Sequence, residues 1–270
     1  MGSAGTKNAS FQENEDTPLI YGLHTVTEAL RQEGDQVREI FIQRGKTGPG
    51  VQGVIDLARG AGIKLRFVER ARMPRVAGPH QGVVARRSPV PLLSLPTLLK
   101  RIGNRDRPPC LLALDSVQDP RNLGAIIRSA LAADIDGIIL TRERCAPLTA
   151  TVMKTSAGAV SHVDICRVVN LADSLNILKK SGYWVYGTVV DLAATSLYEV
   201  DFAFPLCLVI GGEGKGIRPR VKKQCDGLIT IPMSGRLDSL NCSVAAGIVM
   251  FEVARRRGLA QGSGPSGKGM

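Results

Sequence analysis

No stretch of this 270-residue chain approaches the roughly eighteen consecutive apolar residues that a membrane-spanning helix needs. None of its six cysteines forms a CxxC pair, and several sit in strand-like apolar runs, such as Cys207 in PLCLVI. Free, buried thiols in a reducing cytoplasm are therefore expected, rather than disulfides or a thiolate metal site. The three histidines, His24, His80 and His162, are far apart and match no metal-ligand spacing, so no metal is expected. The opening residues, MGSAGTKNASFQENEDTPLI, contain one lysine and no arginine, which argues against a secretory or organelle signal. Residues 1–17 read as a disordered leader and the Gly/Ser-rich residues 259–270 as a disordered tail. No internal repeat is visible.

What is present is positive charge, unevenly placed. The formal charge is +11. Between residues 17 and 109 sixteen Lys/Arg stand against seven Asp/Glu, whereas from residue 110 onward the balance is eighteen against fourteen. A basic first segment joined to a nearly balanced second one suggests a polyanion-binding module attached to something else. A solvated basic surface is the alternative. The 44% hydrophobic content is enough for a real core in either segment.

Periodicity organises both segments. In the first, YGLHTVTEALRQ is helical, VREIFIQR alternates as a strand, and GVQGVIDLARGAG is a helix with Gly62 at its C-terminal cap. IKLRFVE and HQGVVARRS are two further strands. This is a small α/β unit at 18–90. Prolines 89, 91, 96, 108 and 109 punctuate residues 91–109, which read as a linker carrying one short helix at Leu95–Ile102. From Cys110 to residue 258 apolar strands alternate with helices, CLLALDSV, NLGAIIRSALAAD, DGIILT, TATVMKTSAGAV, VDICRV and so on to a long closing helix. That alternation predicts a parallel α/β sheet covered on both faces.

Three stretches carry polar residues where such a sheet binds ligands. GGEGKGI follows the strand LCLVI but fails as a P-loop, because Lys215 is followed by Gly216 rather than Ser or Thr. It also fails as a dinucleotide fingerprint, since Gly212, Gly214 and Gly216 are evenly spaced and come late in the chain. Glu213 would repel a triphosphate, so the loop suits a nucleoside-like ligand without a phosphate tail; a plain structural turn is the alternative. In LDSVQDPRNLGAIIRSALAAD, Asn122 and Arg128 are placed to project toward the carboxyl edge of the sheet. Asn122 is equally a good N-cap, and Arg128 an ordinary surface charge. In SGRLDSLNCSVAAGI, Ser239 and Asn241 precede a helix of small residues, which permits close approach of a ligand or a second subunit, or simply a capped packing helix.

In this order, RNLGAIIRSA, GGEGKGI and SLNCSVAAGI resemble the three motifs of the SpoU (TrmH-like) branch of the SPOUT S-adenosylmethionine-dependent RNA 2'-O-ribose methyltransferases. The resemblance runs from residue 110 to about 258. YGLHTVTEAL, REIFIQRG and HQGVVAR are similar to the L30e-like RNA-binding domain of the bacterial 23S rRNA guanosine 2'-O-methyltransferases. Cys242 stands where the family commonly has valine, a small apolar replacement.

The resemblance implies a SPOUT domain with a deep trefoil knot, S-adenosylmethionine as cofactor, and a homodimer joined through the knotted domain. It implies cofactor contacts at Thr188, Gly211, Gly212, Ile231, Met233, Leu240 and Ser243. The implied catalytic or substrate-positioning set is Asn122, Arg128, Glu213, Ser239 and Asn241. The partner implied is structured RNA, foremost a guanosine of 23S rRNA, with neither DNA nor membrane involved. A transfer RNA ribose methyltransferase and a catalytically silent RNA-binding or ribosome-assembly protein are the competing expectations.

Overall fold

The computed structural model describes residues 19–32, 34–76, 78–88, 90–103 and 107–258; the leader expected at 1–17 and the tail at 259–270 lie outside the described residues. The chain divides into two compact units, residues 1–89 and 90–270.

The first unit contains β1 (Leu19–Tyr21), α1 (Leu23–Gln32), β2 (Val37–Gln43), α2 (Pro49–Gly60), β3 (Lys64–Val68) and β4 (Val83–Arg87). The strands form a sheet in the order β1-β4-β2-β3, with only β2 and β3 parallel. The period-2 pattern of β2 sends Ile40 and Ile42 into a core with Val26 and Leu30 of α1 and with Val54 and Ala58 of α2. The opposite face carries Phe41, with the Arg86 guanidinium 5.3 Å above its ring. Glu39 is buried beside it, and Lys64, Arg66 and Arg86 lie 3.7, 2.5 and 3.5 Å from its carboxylate. Three cations offset the cost of desolvating that one charge. The turn His80–Gly82 is closed by His80, whose Nδ1 accepts the Gly82 N–H at 2.9 Å, so this histidine has a structural partner.

The second unit begins at Val90 and so takes in the stretch 91–109 expected as a linker, which supplies β5 (Leu92–Leu93) and α3 (Leu95–Ile102). There follow β6 (Cys110–Asp115), α4 (Pro120–Ala132), β7 (Gly137–Thr141), α5 (Ala150–Thr155), β8 (Ile165–Val168), α6 (Leu171–Lys180), β9 (Trp184–Thr188), β10 (Thr195–Ser196), β11 (Leu206–Gly211), α7 (Pro219–Lys222), β12 (Gly227–Thr230) and α8 (Cys242–Arg256). The eight strands are all parallel, in the order β10-β12-β9-β11-β6-β7-β8-β5. Alternate residues of the central strands face two cores. Leu112, Leu114, Leu208 and Ile210 pack with α4 and α8. Leu111, Ala113, Cys207 and Val209 pack with α3 and α6. Because β6 and β11 are buried on both faces, they read as continuous apolar runs.

Two expected helices are shorter than their patterns. The helix of TATVMKTSAGAV stops at Thr155, because Ala157 and Gly158 both take positive φ (49° and 82°) and only a single 3-10 turn follows. IRPRVKKQC contributes only the four residues of α7. At the far end of α8, buried Glu252 accepts hydrogen bonds from Arg255 and Arg256 at 2.7–2.9 Å, and Arg256 also donates to the Tyr198 carbonyl. All six thiols are free, five of them buried. Among the described residues no helix is long and apolar enough to cross a membrane.

The hydrogen bond from Arg255, reinforced by Arg256, lowers the Glu252 carboxyl from 4.5 to about 2 despite its burial. A depressed folded pKa means that its stabilisation is complete above the unfolded value and is lost as pH falls from about 4.5 toward 2. Glu252→Gln is expected to cost about 2 kcal/mol at pH 7. Urea unfolding midpoints of the two proteins should converge as pH is lowered from about 4.5 toward 2.

Candidate active site

The carboxyl ends of β6, β9, β11 and β12 share one edge of the second sheet, and the glycine loop after β11 closes over it. Asp115, the last residue of β6, is fully buried and binds the loop's exit twice. It accepts the Arg218 backbone N–H at 2.8 Å and Arg218 Nε at 2.7 Å. The loop's entrance is held by the same residue, since Gly212 N donates to the Asp115 carbonyl at 2.8 Å. Between these points Gly216 N reaches back to Gly212 O at 3.1 Å. The closure leaves no room for side chains. A Cβ on Gly211 would sit 2.2 Å from the Gly216 carbonyl carbon, and one on Gly212 would sit 2.0 Å from Ser116 O.

Glu213 projects from this loop to meet the other two polar segments. The N-cap of α4 is Asp119, which accepts Arg121 N at 2.7 Å. The helix thus starts earlier than the sequence pattern suggested, and the capping alternative for Asn122 is overturned. Asn122 lies in the first turn, and its Nδ2 donates to the Glu213 carboxylate. Asn241 does two jobs at once. Its Oδ1 caps α8, accepting Ser243 N at 2.8 Å and Val244 N at 3.4 Å. Its Nδ2 donates to Glu213 Oε1 at 3.3 Å and to Asn122 Oδ1 at 3.1 Å. An ionised carboxylate only accepts, so it turns both amides with their NH2 groups toward it.

A cavity of about 450 Å³ opens beside this junction. Thr188, Gly211, Gly212, Ile231, Met233 and Leu240 line it, together with Glu213 and Ser239. The Thr188 hydroxyl is buried and has no hydrogen-bond partner among the described residues, so it is available to a polar atom of a ligand. Ser243 is not on the wall; its hydroxyl donates to Asn241 Oδ1 at 2.6 Å. Arg128 also stands apart. It lies six residues beyond Asn122, about 120° around the helix at about 100° per residue, and is exposed.

The residues missed from sequence are Asp115 and Arg218, which clamp the loop, and Lys222, which lines the cavity 3.8 Å from Asp191. The one available signal was a carboxylate ending an otherwise apolar strand. Cys242, also on the wall, is pushed up to about 11 by burial and then by Glu213, so its thiol stays protonated and packs as an apolar group.

The profile of the SpoU rRNA Methylase family matches residues 109–251, the stretch that builds this edge. The chain belongs to that family. Residues 19–92 match a second profile, RNA 2'-O ribose methyltransferase substrate binding. Among relatives of this SpoU chain, the 23S rRNA (guanosine-2'-O-)-methyltransferase RlmB of Xanthomonas campestris pv. campestris is 40% identical over 240 residues, covering 88% of this chain and 96% of that protein. The RlmB of Pseudomonas aeruginosa is 39% identical over the same 88% of this chain and 96% of its own length. The putative TrmH family tRNA/rRNA methyltransferase YacO of Bacillus subtilis is 40% identical, covering 88% and 95%. Among solved structures, the AdoMet-bound rRNA methyltransferase from Sinorhizobium meliloti superposes with a TM-score of 0.65 at 26% identity, covering 89% of this chain and 87% of that one. A putative TrmH-family RNA methyltransferase from Porphyromonas gingivalis gives 0.66 at 26%, covering 90% and 91%.

The closure of the glycine loop is checked by Gly212→Ala. Pushing a Cβ into the Ser116 carbonyl should cost about 1–3 kcal/mol, read as a lower thermal unfolding temperature.

Proposed function

We propose that this SpoU protein methylates the ribose 2'-hydroxyl of a guanosine in 23S rRNA, using S-adenosylmethionine, in the cytoplasm. The observation that carries this reading is the junction of Asn122, Glu213 and Asn241 at the rim of a cavity holding an unpartnered Thr188 hydroxyl.

The residues present suit that cofactor. Ile231, Met233 and Leu240 offer apolar walls to a flat base, and Thr188 offers it a hydrogen bond. Gly211 and Gly212 bare their backbone to a ribose. Ser243 acts on the cofactor side only through its bond to Asn241. Glu213 and Asp238 supply negative charge to a wall that faces a sulfonium. When bound, S-adenosylmethionine would supply an electrophilic methyl group: the ribose oxygen bonds to it as the carbon–sulfur bond breaks, the sulfur keeps the bonding pair, and the hydroxyl proton is lost to water.

The chain's own part is positioning and charge. Holding hydroxyl and methyl in line supplies about 7–11 kcal/mol in good intramolecular cases. Asn122 and Asn241, locked by Glu213, orient the ribose, and Ser239 shapes the rim. Arg128 binds the adjacent phosphate and stabilises the developing alkoxide, a role that a cationic, forked guanidinium suits better than that of a general base.

Arg128 lies away from the cavity of its own chain, on an exposed surface that supports the homodimer reading. Leu131 of α4 and Val244 and Phe251 of α8 are large apolar side chains left 40–50% exposed on two helices that pack together. A second copy on this face places Arg128 at the subunit interface. The trefoil knot belongs to the same proposal. It is supported by the strand order, in which β12 returns to pair with β9 rather than with β11.

One assay separates the target readings: incubation with labelled donor and unmodified ribosomal or transfer RNA, followed by mapping of the methylated nucleotide. Label at a 23S rRNA guanosine is expected; label only in transfer RNA overturns the target, and no label in any RNA overturns the activity. Arg128→Ala should reduce transfer by at least about 10²–10³-fold while donor affinity by calorimetry stays nearly unchanged. Phe251→Glu should shift the protein from dimer to monomer in sedimentation.

A further inference from the structure

Several arginines of the second unit are engaged within the fold, whereas Arg121, Arg128, Arg142, Arg144, Arg167 and Arg236 have no carboxylate within ion-pair distance among the described residues. Arg101, Arg107, Arg218, Arg220, Arg255 and Arg256 each hold a carboxylate within 3.3 Å. Arg257 is used up on the carbonyls of Pro108, Phe202 and Phe204. Those arginines serve the fold. Arg142 and Arg144, by contrast, are exposed and have no carboxylate within ion-pair distance among the described residues.

These two sit on a loop that is fixed from both sides. It leaves the carboxyl end of β7, where Arg142 N donates to Val168 O at 2.8 Å and Arg167 donates to Arg142 O at 3.2 Å. On the other side the Cys145 thiol donates to Leu114 O at 3.3 Å, and Ala146 N donates to Val117 O at 2.8 Å. Val117 is two residues before Asp119, the cap of the helix that carries Asn122. In a parallel sheet every carboxyl end lies at the same edge, so the loop emerges beside the Asn122–Glu213 junction. Arg121, exposed and without an ion-paired carboxylate among the described residues, is the second residue of α4, next to Asn122.

We infer that Arg142 and Arg144, with Arg121 beside Asn122, form an RNA-phosphate contact on the catalytic unit itself, gripping the strand that flanks the target nucleotide. The inference rests on the methyltransferase reading above. A guanidinium held on a braced loop loses little conformational freedom on meeting a phosphate, and its planar fork matches two phosphate oxygens.

The test uses the full chain and a 23S rRNA transcript that the wild-type protein methylates. In the double variant Arg142→Ala/Arg144→Ala, KM for RNA should rise about tenfold or more, and the slope of log affinity against log salt should shrink by about 1 to 2. Donor affinity and kcat at saturating RNA should stay at wild-type values, which also shows that the variant is folded. Arg142→Lys/Arg144→Lys should keep most of the salt slope. Unchanged RNA affinity and slope in the alanine variant overturn this contact while leaving the activity standing. A wild-type protein that labels no RNA overturns the activity and this inference together.

Discussion

The Glu213 carboxylate is where three segments, about ninety residues and about thirty residues apart along the chain, are tied into one surface. It accepts from the amides of Asn122 and Asn241, and those amides bond to each other. Each asparagine sits in the first turn of, or caps, a helix that packs into the same core, so the junction couples α4, α8 and the glycine loop. The carboxylate itself is held up by a second charge. Buried Asp115 clamps both ends of the loop, through Gly212 N and through Arg218, so the loop cannot slide along β11 without breaking charge-assisted bonds.

This arrangement explains why a glutamate occupies a glycine loop. The loop's glycines are there because its backbone turns back on itself and on Ser116, and the glutamate is there to orient amides rather than to meet a phosphate tail. The cavity beside it combines apolar walls, bare backbone and one buried hydroxyl with no internal partner. Such a lining suits a nucleoside-like ligand.

Much of the architecture was legible from pattern. The strands buried on both faces, β6, β7 and β11, stand out as apolar runs, and the helices α1, α2, α3, α4 and α6 follow from a 3.6-residue period closed by glycines such as Gly62 and Gly182. The strands β1, β5 and β10 were not legible, because two or three residues are too few to show alternation. Residues 91–109 looked like a linker because prolines punctuate them, although a two-residue edge strand and an eight-residue helix there complete the second unit's sheet and one of its cores. Pro120 hid the true start of α4, since proline reads as a breaker but is well tolerated in the first helical turn.

At the site, the sequence by itself determined which residue types were available: Asn122, Glu213, Ser239 and Asn241 in polar stretches next to apolar strands and helices, and a loop that only glycine can close. Motif order was enough to place the chain in its family. Only the tertiary structure decided which of these residues meet. Local spacing says nothing about a hydrogen bond between residues 122 and 241, and it suggested a common direction for Asn122 and Arg128 that helical rotation denies. It was equally silent on Asp115 and Arg218, 103 residues apart, because a part-buried ion pair acquires its value from the place where two distant stretches of sequence are brought together.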